Sequence, residues 1–247
     1  MEPPRPASLL PFREGGGLIV LVDPGRSTPA EARALAARAA AAGAAGFLIG
    51  DSLGAQATVD THVAAMRTGA PNVPIVQFPA SADELSPAVD AVLFLVLVSG
   101  RNPRYLIEEQ VRAVPFFERH PHVRGVSTAY LLVDGGRESA VEHVSRTDPL
   151  PADDVALVAA HVKAAAMMGL HATYLEAGSG AVNPVSDRVI RAARAATDGP
   201  LIVGGGITDA RSAALARDAG ADYVVVGTLF ERNVSADVRQ FVDAVRV

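Results

Sequence analysis

From Leu18 onward, short apolar runs bounded by glycine, proline or aspartate alternate with longer stretches in which alanine, arginine and acidic residues mix. An apolar run of four to six residues reads as a strand buried on both faces, as in a parallel sheet covered by helices. Strands are therefore predicted at 18–22, 46–49, 73–78, 91–96, 129–133, 172–175, 201–203 and 223–226. The mixed stretches predict helices at 29–42, 57–68, 103–118, 152–168, 186–197, 209–218 and 235–245. Eight strands with interleaved helices make a (β/α)8 TIM barrel, an α/β fold occupying residues 17–247 as one domain. One helix is missing from the count. Residues 79–90, between the third and fourth strands, carry two prolines and are too short for a covering helix and its turns, so the barrel is expected to be irregular there.

Residues 1–16 precede the pattern, contain four prolines and run into the glycines 15–17, which predicts a flexible or surface-bound leader. An internal echo supports the repeat. Ala42-Gly43-Ala44 leads into Phe47-Leu48-Ile49-Gly50 as Ala219-Gly220-Ala221 leads into Val224-Val225-Val226-Gly227, each a helix end, a tight turn and a buried strand. Asn102-Pro103 reads as a helix cap followed by proline at the first helical position, and Met167 and Met168 as core filling beside the sixth strand.

In such a barrel the chemistry sits at the C-terminal ends of the strands, with phosphate often held by the last loops. The residues at those ends are Asp23, Asp51 and Ser52, Ser99, Asp134, Tyr174 and Glu176, Gly204 to Gly206, and Gly227 with Thr228. Strand alternation puts Tyr174 and Glu176 on one face and Leu175 on the other. The glycine turn that follows, Gly178-Ser179-Gly180, and the ends at Gly204–Gly206 and Gly227-Thr228 read as a phosphate cradle, because backbone amides and helix N-termini supply fixed partial positive charge. Asp23 before Pro24 either starts a turn or offers a carboxylate to Mg²⁺ against a diphosphate. The polar segment 134–149 reads either as a lid or as a solvated excursion.

Composition narrows the choice. Of 247 residues, 49% are hydrophobic and 20% charged, with a net charge of −5, no cysteine and no tryptophan, which gives nucleic-acid binding little support and removes thiol chemistry. The apolar run 91–98 is far shorter than the ~20 residues of a spanning helix, and the first residues lack the pattern of a signal peptide, so a cytoplasmic protein is expected. Gly50-Asp51-Ser52-Leu53-Gly54 invites a serine-hydrolase reading, but no histidine follows His171 to complete such a site. The six histidines lack paired metal spacing.

Taken together, Tyr174-Leu175-Glu176-Ala177-Gly178-Ser179-Gly180, Gly204-Gly205-Gly206-Ile207 and Val226-Gly227-Thr228 resemble the geranylgeranylglyceryl phosphate synthase family, as do Ala91-Val92-Leu93-Phe94-Leu95, Arg101-Asn102-Pro103 and the missing third helix. The resemblance covers nearly all of the chain from Leu18. It implies transfer of a polyprenyl group from its diphosphate to the 3-hydroxyl of sn-glycerol 1-phosphate, with Mg²⁺ as cofactor. On that pattern Glu176 accepts the hydroxyl proton and Tyr174 orients the glycerol phosphate. Leu175, Ala177, Gly178, Ser179, Gly180, Gly205, Gly206, Gly227 and Thr228 complete the phosphate site, and Asp23 and Ser52 hold the metal positions. A homo-oligomer is expected, with any membrane contact peripheral. The chain departs from the family at Gly25 and Arg26, where a second carboxylate and a lysine are usual, and at Asp51. Two other readings stand beside this one: a different phosphate-binding barrel enzyme sharing only the glycine ends, and a non-catalytic binder of polyprenyl or phosphate groups.

Overall fold

The computed structural model describes residues 9–50, 56–233 and 236–246. Asp51 and Ser52 lie outside them, so the predictions made for those two residues have no structural counterpart. Eight parallel strands close into a barrel in chain order, with β8 (Tyr223–Val226) pairing back onto β1 (Gly17–Val22). Between them run β2 (Gly46–Ile49), β3 (Ile75–Gln77), β4 (Ala91–Leu97), β5 (Arg124–Leu132), β6 (Ala172–Glu176) and β7 (Leu201–Gly204). The covering helices are α1 (Pro29–Ala42), α2 (Gln56–Gly69), α3 (Glu109–Arg119), α4 (Ala140–Ser145), α5 (Val155–Met167), α6 (Asp187–Ala196), α7 (Ala210–Asp218), α8 (Thr228–Arg232) and α9 (Val238–Ala244).

Alternation along each strand builds two cores. Leu18, Val20 and Val22 of β1 point outward into the layer between barrel and helices, while Ile19 points into the barrel with Leu48, Leu93, Val126, Tyr174, Ile202 and Val225. α1 shows how the outer layer forms. Thr28 and Glu31 make a reciprocal capping box, Pro29 occupies the first turn, and Gly43 ends the helix in the left-handed region at φ 91°. Ala32, Leu35, Ala36 and Ala39 then fall on one buried face.

Between β3 and β4 there is a short 3-10 turn, Ala82–Glu84, in place of a covering helix, as the prolines require. Gln77 and Glu84 hold that segment down, with Gln77 Nε2 donating to the Glu84 carbonyl and the Glu84 carboxylate accepting the Ala80 N–H. α3 is preceded by a π-helical turn over Arg104–Glu108, and Asn102 caps it by accepting the Arg104 N–H at 3.1 Å.

Two expectations are corrected, and part of a third gains a setting. Within residues 9–16 of the expected flexible or surface-bound leader, Leu10 and Phe12 are buried against the floor of the barrel, where Phe12 packs on Gly46 with its ring centroid 5.3 Å from that of Tyr223. Apolar side chains among prolines found a hole to fill. β5 begins at Arg124 rather than at residue 129, because its polar residues are accommodated, with the buried Thr128 hydroxyl donating to the Val126 carbonyl. Met167 and Met168 are 79% and 65% exposed, since Val158, Val162 and Ala165 already make the inward face of α5.

Candidate active site

Glu176 is the last residue of β6 and points into the barrel mouth at 7% exposure, while Leu175 faces the outer core. Its Oε1 accepts the Gly178 N–H at 2.8 Å. Burial pushes the carboxyl up to about 7, against the pull of the Gly178 amide and of the neighbouring Tyr174 hydroxyl. A carboxyl poised there exchanges a proton near neutral pH, which is what a general base needs.

Below it lies an aromatic floor. Tyr174 and Tyr130 of β5 are 0% and 4% exposed, and their rings meet at 5.5 Å, with Phe78 at 5.3 Å from Tyr174 and 5.5 Å from Tyr130. Neither phenol makes a hydrogen bond of ordinary geometry to the protein, although Tyr174 stands beside the Glu176 carboxylate. Burial and then the Glu176 charge hold both hydroxyls well above their ordinary range, so they remain neutral donors. Leaving the buried Tyr130 hydroxyl unpaired costs about 1–3 kcal/mol, a cost that a polar ligand would relieve.

The loops after β6, β7 and β8 converge above this floor. A side-chain carbon on Gly204 would sit 2.7 Å from the Tyr174 hydroxyl, and one on Gly205 would sit 2.3 Å from Glu176 Oε1. Gly205 and Gly206 also adopt φ of +83° and +70°, which glycine alone takes readily. Ser179 Oγ lies 3.1 Å from Thr228 Oγ1, and Arg26 Nη1 reaches Ser179 Oγ at 3.4 Å, which joins the loop after β1 to the same cluster.

A cavity of about 450 Å³ opens from this point. Its polar end has Asp23, Arg26, Glu176, Ser179, Gly180, Gly205, Gly206, Gly227 and Thr228. Its apolar end runs past Phe78 along β4 to Ala113 and Phe117 of α3, with Pro79, Ala82 and Leu85 also lining it. Within the segment 134–149, α4 forms part of the cavity's edge through Val141 and Val144.

The sequence model of the PcrB family matches residues 12–245. The chain belongs to the PcrB family. It is 36% identical to the geranylgeranylglyceryl phosphate synthase of Chitinophaga pinensis over 226 residues, 92% of this chain and 88% of that protein. It is equally similar, at 36% over 232 residues, to that of Korarchaeum cryptofilum, covering 93% and 94% of the two chains. Among solved structures, the (S)-3-O-geranylgeranylglyceryl phosphate synthase from Thermoplasma acidophilum, in complex with substrate sn-glycerol-1-phosphate, superposes with a TM-score of 0.88 at 29% identity over 94% of each chain. The thiamine phosphate pyrophosphorylase from Pyrococcus furiosus, at 16% identity and a TM-score of 0.55, shares the fold alone.

Within this PcrB-family barrel the expected site residues divide. Tyr174, Glu176, Ser179, Gly180, Gly205, Gly206, Gly227, Thr228 and Asp23 line one cavity. Leu175 and Ala177 do not, because both belong to the outer core. Gly178 spends its amide on Glu176 and so orients the carboxylate. Sequence reasoning missed Tyr130 and Phe78, whose only signal was an aromatic at an inward position or just past the end of a strand. It also missed Glu231, which accepts the Asp23 N–H at 2.8 Å and fixes the loop after β1.

Asp23 Oδ2 lies 3.2 Å from Arg26 Nε, and Oδ1 accepts the Gly25 N–H at 2.8 Å. Among the described residues no group of three His, Asp or Glu gathers to hold a metal ion. One carboxylate at the cavity's polar end nevertheless fits Mg²⁺, which takes one or two protein carboxylates and draws its remaining ligands from phosphate oxygens and water.

Proposed function

We propose that this PcrB-family chain transfers a polyprenyl group, such as geranylgeranyl, from its diphosphate to the 3-hydroxyl of sn-glycerol 1-phosphate. The observation that carries the reading is Glu176: a buried carboxyl poised at about 7, placed where the glycine cradle and the apolar channel meet. The bond from the prenyl C1 to the diphosphate oxygen breaks, the glycerol oxygen bonds to C1, its proton passes to Glu176, and pyrophosphate leaves.

In this reading Ser179, Gly180, Gly205, Gly206, Gly227 and Thr228 hold the glycerol phosphate, and Tyr174 donates to the glycerol. The prenyl chain lies in the apolar channel, each Å² withdrawn from water contributing roughly 25 cal/mol. Asp23, with Ser52 as a further candidate, would hold Mg²⁺, which would supply charge neutralisation for the leaving group. Arg26 stands beside Asp23 to share that charge.

The proposal also includes a cytoplasmic homo-oligomer that meets the membrane only at its surface. No helix among the described residues is long and apolar enough to cross a membrane, and Ile107, Val111 and Val114 present an exposed apolar stripe. The test is direct: labelled sn-glycerol 1-phosphate, geranylgeranyl diphosphate and Mg²⁺ should yield a labelled phosphate that extracts into organic solvent. No product with any prenyl diphosphate of ten to thirty-five carbons would overturn the reading.

A further inference from the structure

The apolar channel has two outer walls with different support. One is α3, a full helix packed on the barrel. The other is the 79–85 segment, which contains only a 3-10 turn. The two walls are joined across the channel. Glu109, the first residue of α3, is 8% exposed and accepts the Ala82 N–H at 2.9 Å through Oε2, and both residues line the cavity. Two arginines hold the same carboxylate in place. Arg104 Nε lies 2.7 Å from Oε1, and Arg112 Nη1 lies 2.9 Å from both oxygens while its other terminal nitrogen reaches Asp83.

We propose that Glu109 is a positioning residue for the prenyl chain: its carboxylate clasps the 79–85 segment to α3 across the channel and retains the distal part of a long chain. The inference rests on the prenyl reading of the channel and adds which residues set its hold on chain length. The Asp83–Arg112 pair is exposed and contributes little alone, as surface ion pairs do. The weight falls on the buried carboxylate, where a charge-assisted bond to a backbone amide is strong. Burial raises the Glu109 carboxyl, and the Ala82 amide with the two arginines more than offsets this, so the group stays charged and the clasp stays made.

Position along the channel gives the clasp its selectivity. Phe78 belongs to the aromatic floor next to Glu176, and the chain then runs four residues on to Ala82, a span of at most ~14 Å. That bound keeps the clasp within reach of a twenty-carbon chain starting at the reacting centre, and a ten-carbon chain, with half the length, is taken to engage it less.

The experiment compares dissociation rates of geranyl and geranylgeranyl diphosphate, with Mg²⁺, from the wild-type protein, Glu109→Gln and Glu109→Leu. Glutamine keeps an acceptor for the Ala82 amide but loses the charge that the two arginines hold, so it should speed geranylgeranyl diphosphate release by less than leucine does and leave the geranyl diphosphate rate within about twofold. Leucine keeps bulk and removes the acceptor; Ala82 lies in a surface turn and is only partly buried, so the barrel should stand. Geranylgeranyl diphosphate should then leave about five- to tenfold faster, and geranyl diphosphate less than twofold faster. The double variant Arg104→Ala/Arg112→Ala loosens the same carboxylate from the exposed side and should move the two rates in the same order, even where Glu109→Leu fails to fold. Equal effects on both chain lengths, or none, would overturn the clasp. A wild-type protein that binds neither diphosphate would overturn the prenyl reading of the channel and the clasp with it.

Discussion

A side-chain carbon on Gly205 would stand 2.3 Å from Oε1 of Glu176, closer than any such contact can be tolerated. The first strand end after β6 is thus shaped around the carboxylate. Gly205→Ala must displace Glu176 and also adopt φ +83°, a left-handed conformation costing roughly 1–2 kcal/mol. Turnover should fall at least a hundredfold and the melting temperature by several degrees, measured on the same preparation.

Gly180 makes the contrasting case. Its φ is +72°, but an added carbon there would meet no protein atom within 4 Å, although Gly180 lines the cavity. Gly180→Ala should therefore lose a similar ~1–2 kcal/mol of stability from the backbone alone. If the space beside it belongs to the substrate phosphate, calorimetry should show sn-glycerol 1-phosphate binding about tenfold more weakly. Unchanged affinity would remove Gly180 from the phosphate site.

The raised carboxyl of Glu176 fixes two pH dependences of opposite sign. As a base it must be ionised, so turnover should rise with pH through about 7 and then level off. Stability runs the other way. A folded-state value above the ordinary 4.5 means that this group's contribution is fully present below about 4.5 and is lost as pH rises through about 7. The loss is on the order of 3 kcal/mol if the whole shift is expressed. Denaturant titrations at pH 5 and pH 8 should show Glu176→Gln gaining more stability relative to wild type at the higher pH.

Asp23 is held by its backbone as well as through its side chain, since Glu231 accepts its N–H. Asp23→Asn should leave that anchor in place and the melting temperature within a few degrees. The Mg²⁺ concentration for half-maximal turnover should rise about tenfold, while sn-glycerol 1-phosphate affinity stays within about twofold. An unaltered Mg²⁺ requirement would place the cation elsewhere.

The barrel was legible because strands buried on both faces leave long apolar runs, and β2 and β8 fall where those runs predict. Tyr174 and Glu176 were legible for a related reason, since alternation on a strand admits only one arrangement of three consecutive residues. The floor of the barrel was not legible: Leu10 and Phe12 sit among prolines, and nothing local says that they fill a hole under Gly46 and Tyr223. Nor was the split within the 174–180 stretch, where Gly178 turns its amide to Glu176 and Ala177 faces the outer core. Tyr130 escaped because its importance arises from rings on β6 and after β3 that only the closed barrel brings to it.

Glu176→Gln tests the central claim most directly. Glutamine keeps the shape and can still accept the Gly178 N–H, but it cannot take a proton from the glycerol hydroxyl. Loss of a general base typically costs ~10²–10⁴ in rate, or roughly 3–5 kcal/mol of barrier. Turnover of geranylgeranyl diphosphate with sn-glycerol 1-phosphate at pH 8 should fall by that factor, with glycerol phosphate affinity within a few-fold of wild type. Turnover within a few-fold of wild type, in a protein that binds both substrates, would contradict the assignment of Glu176 as the base.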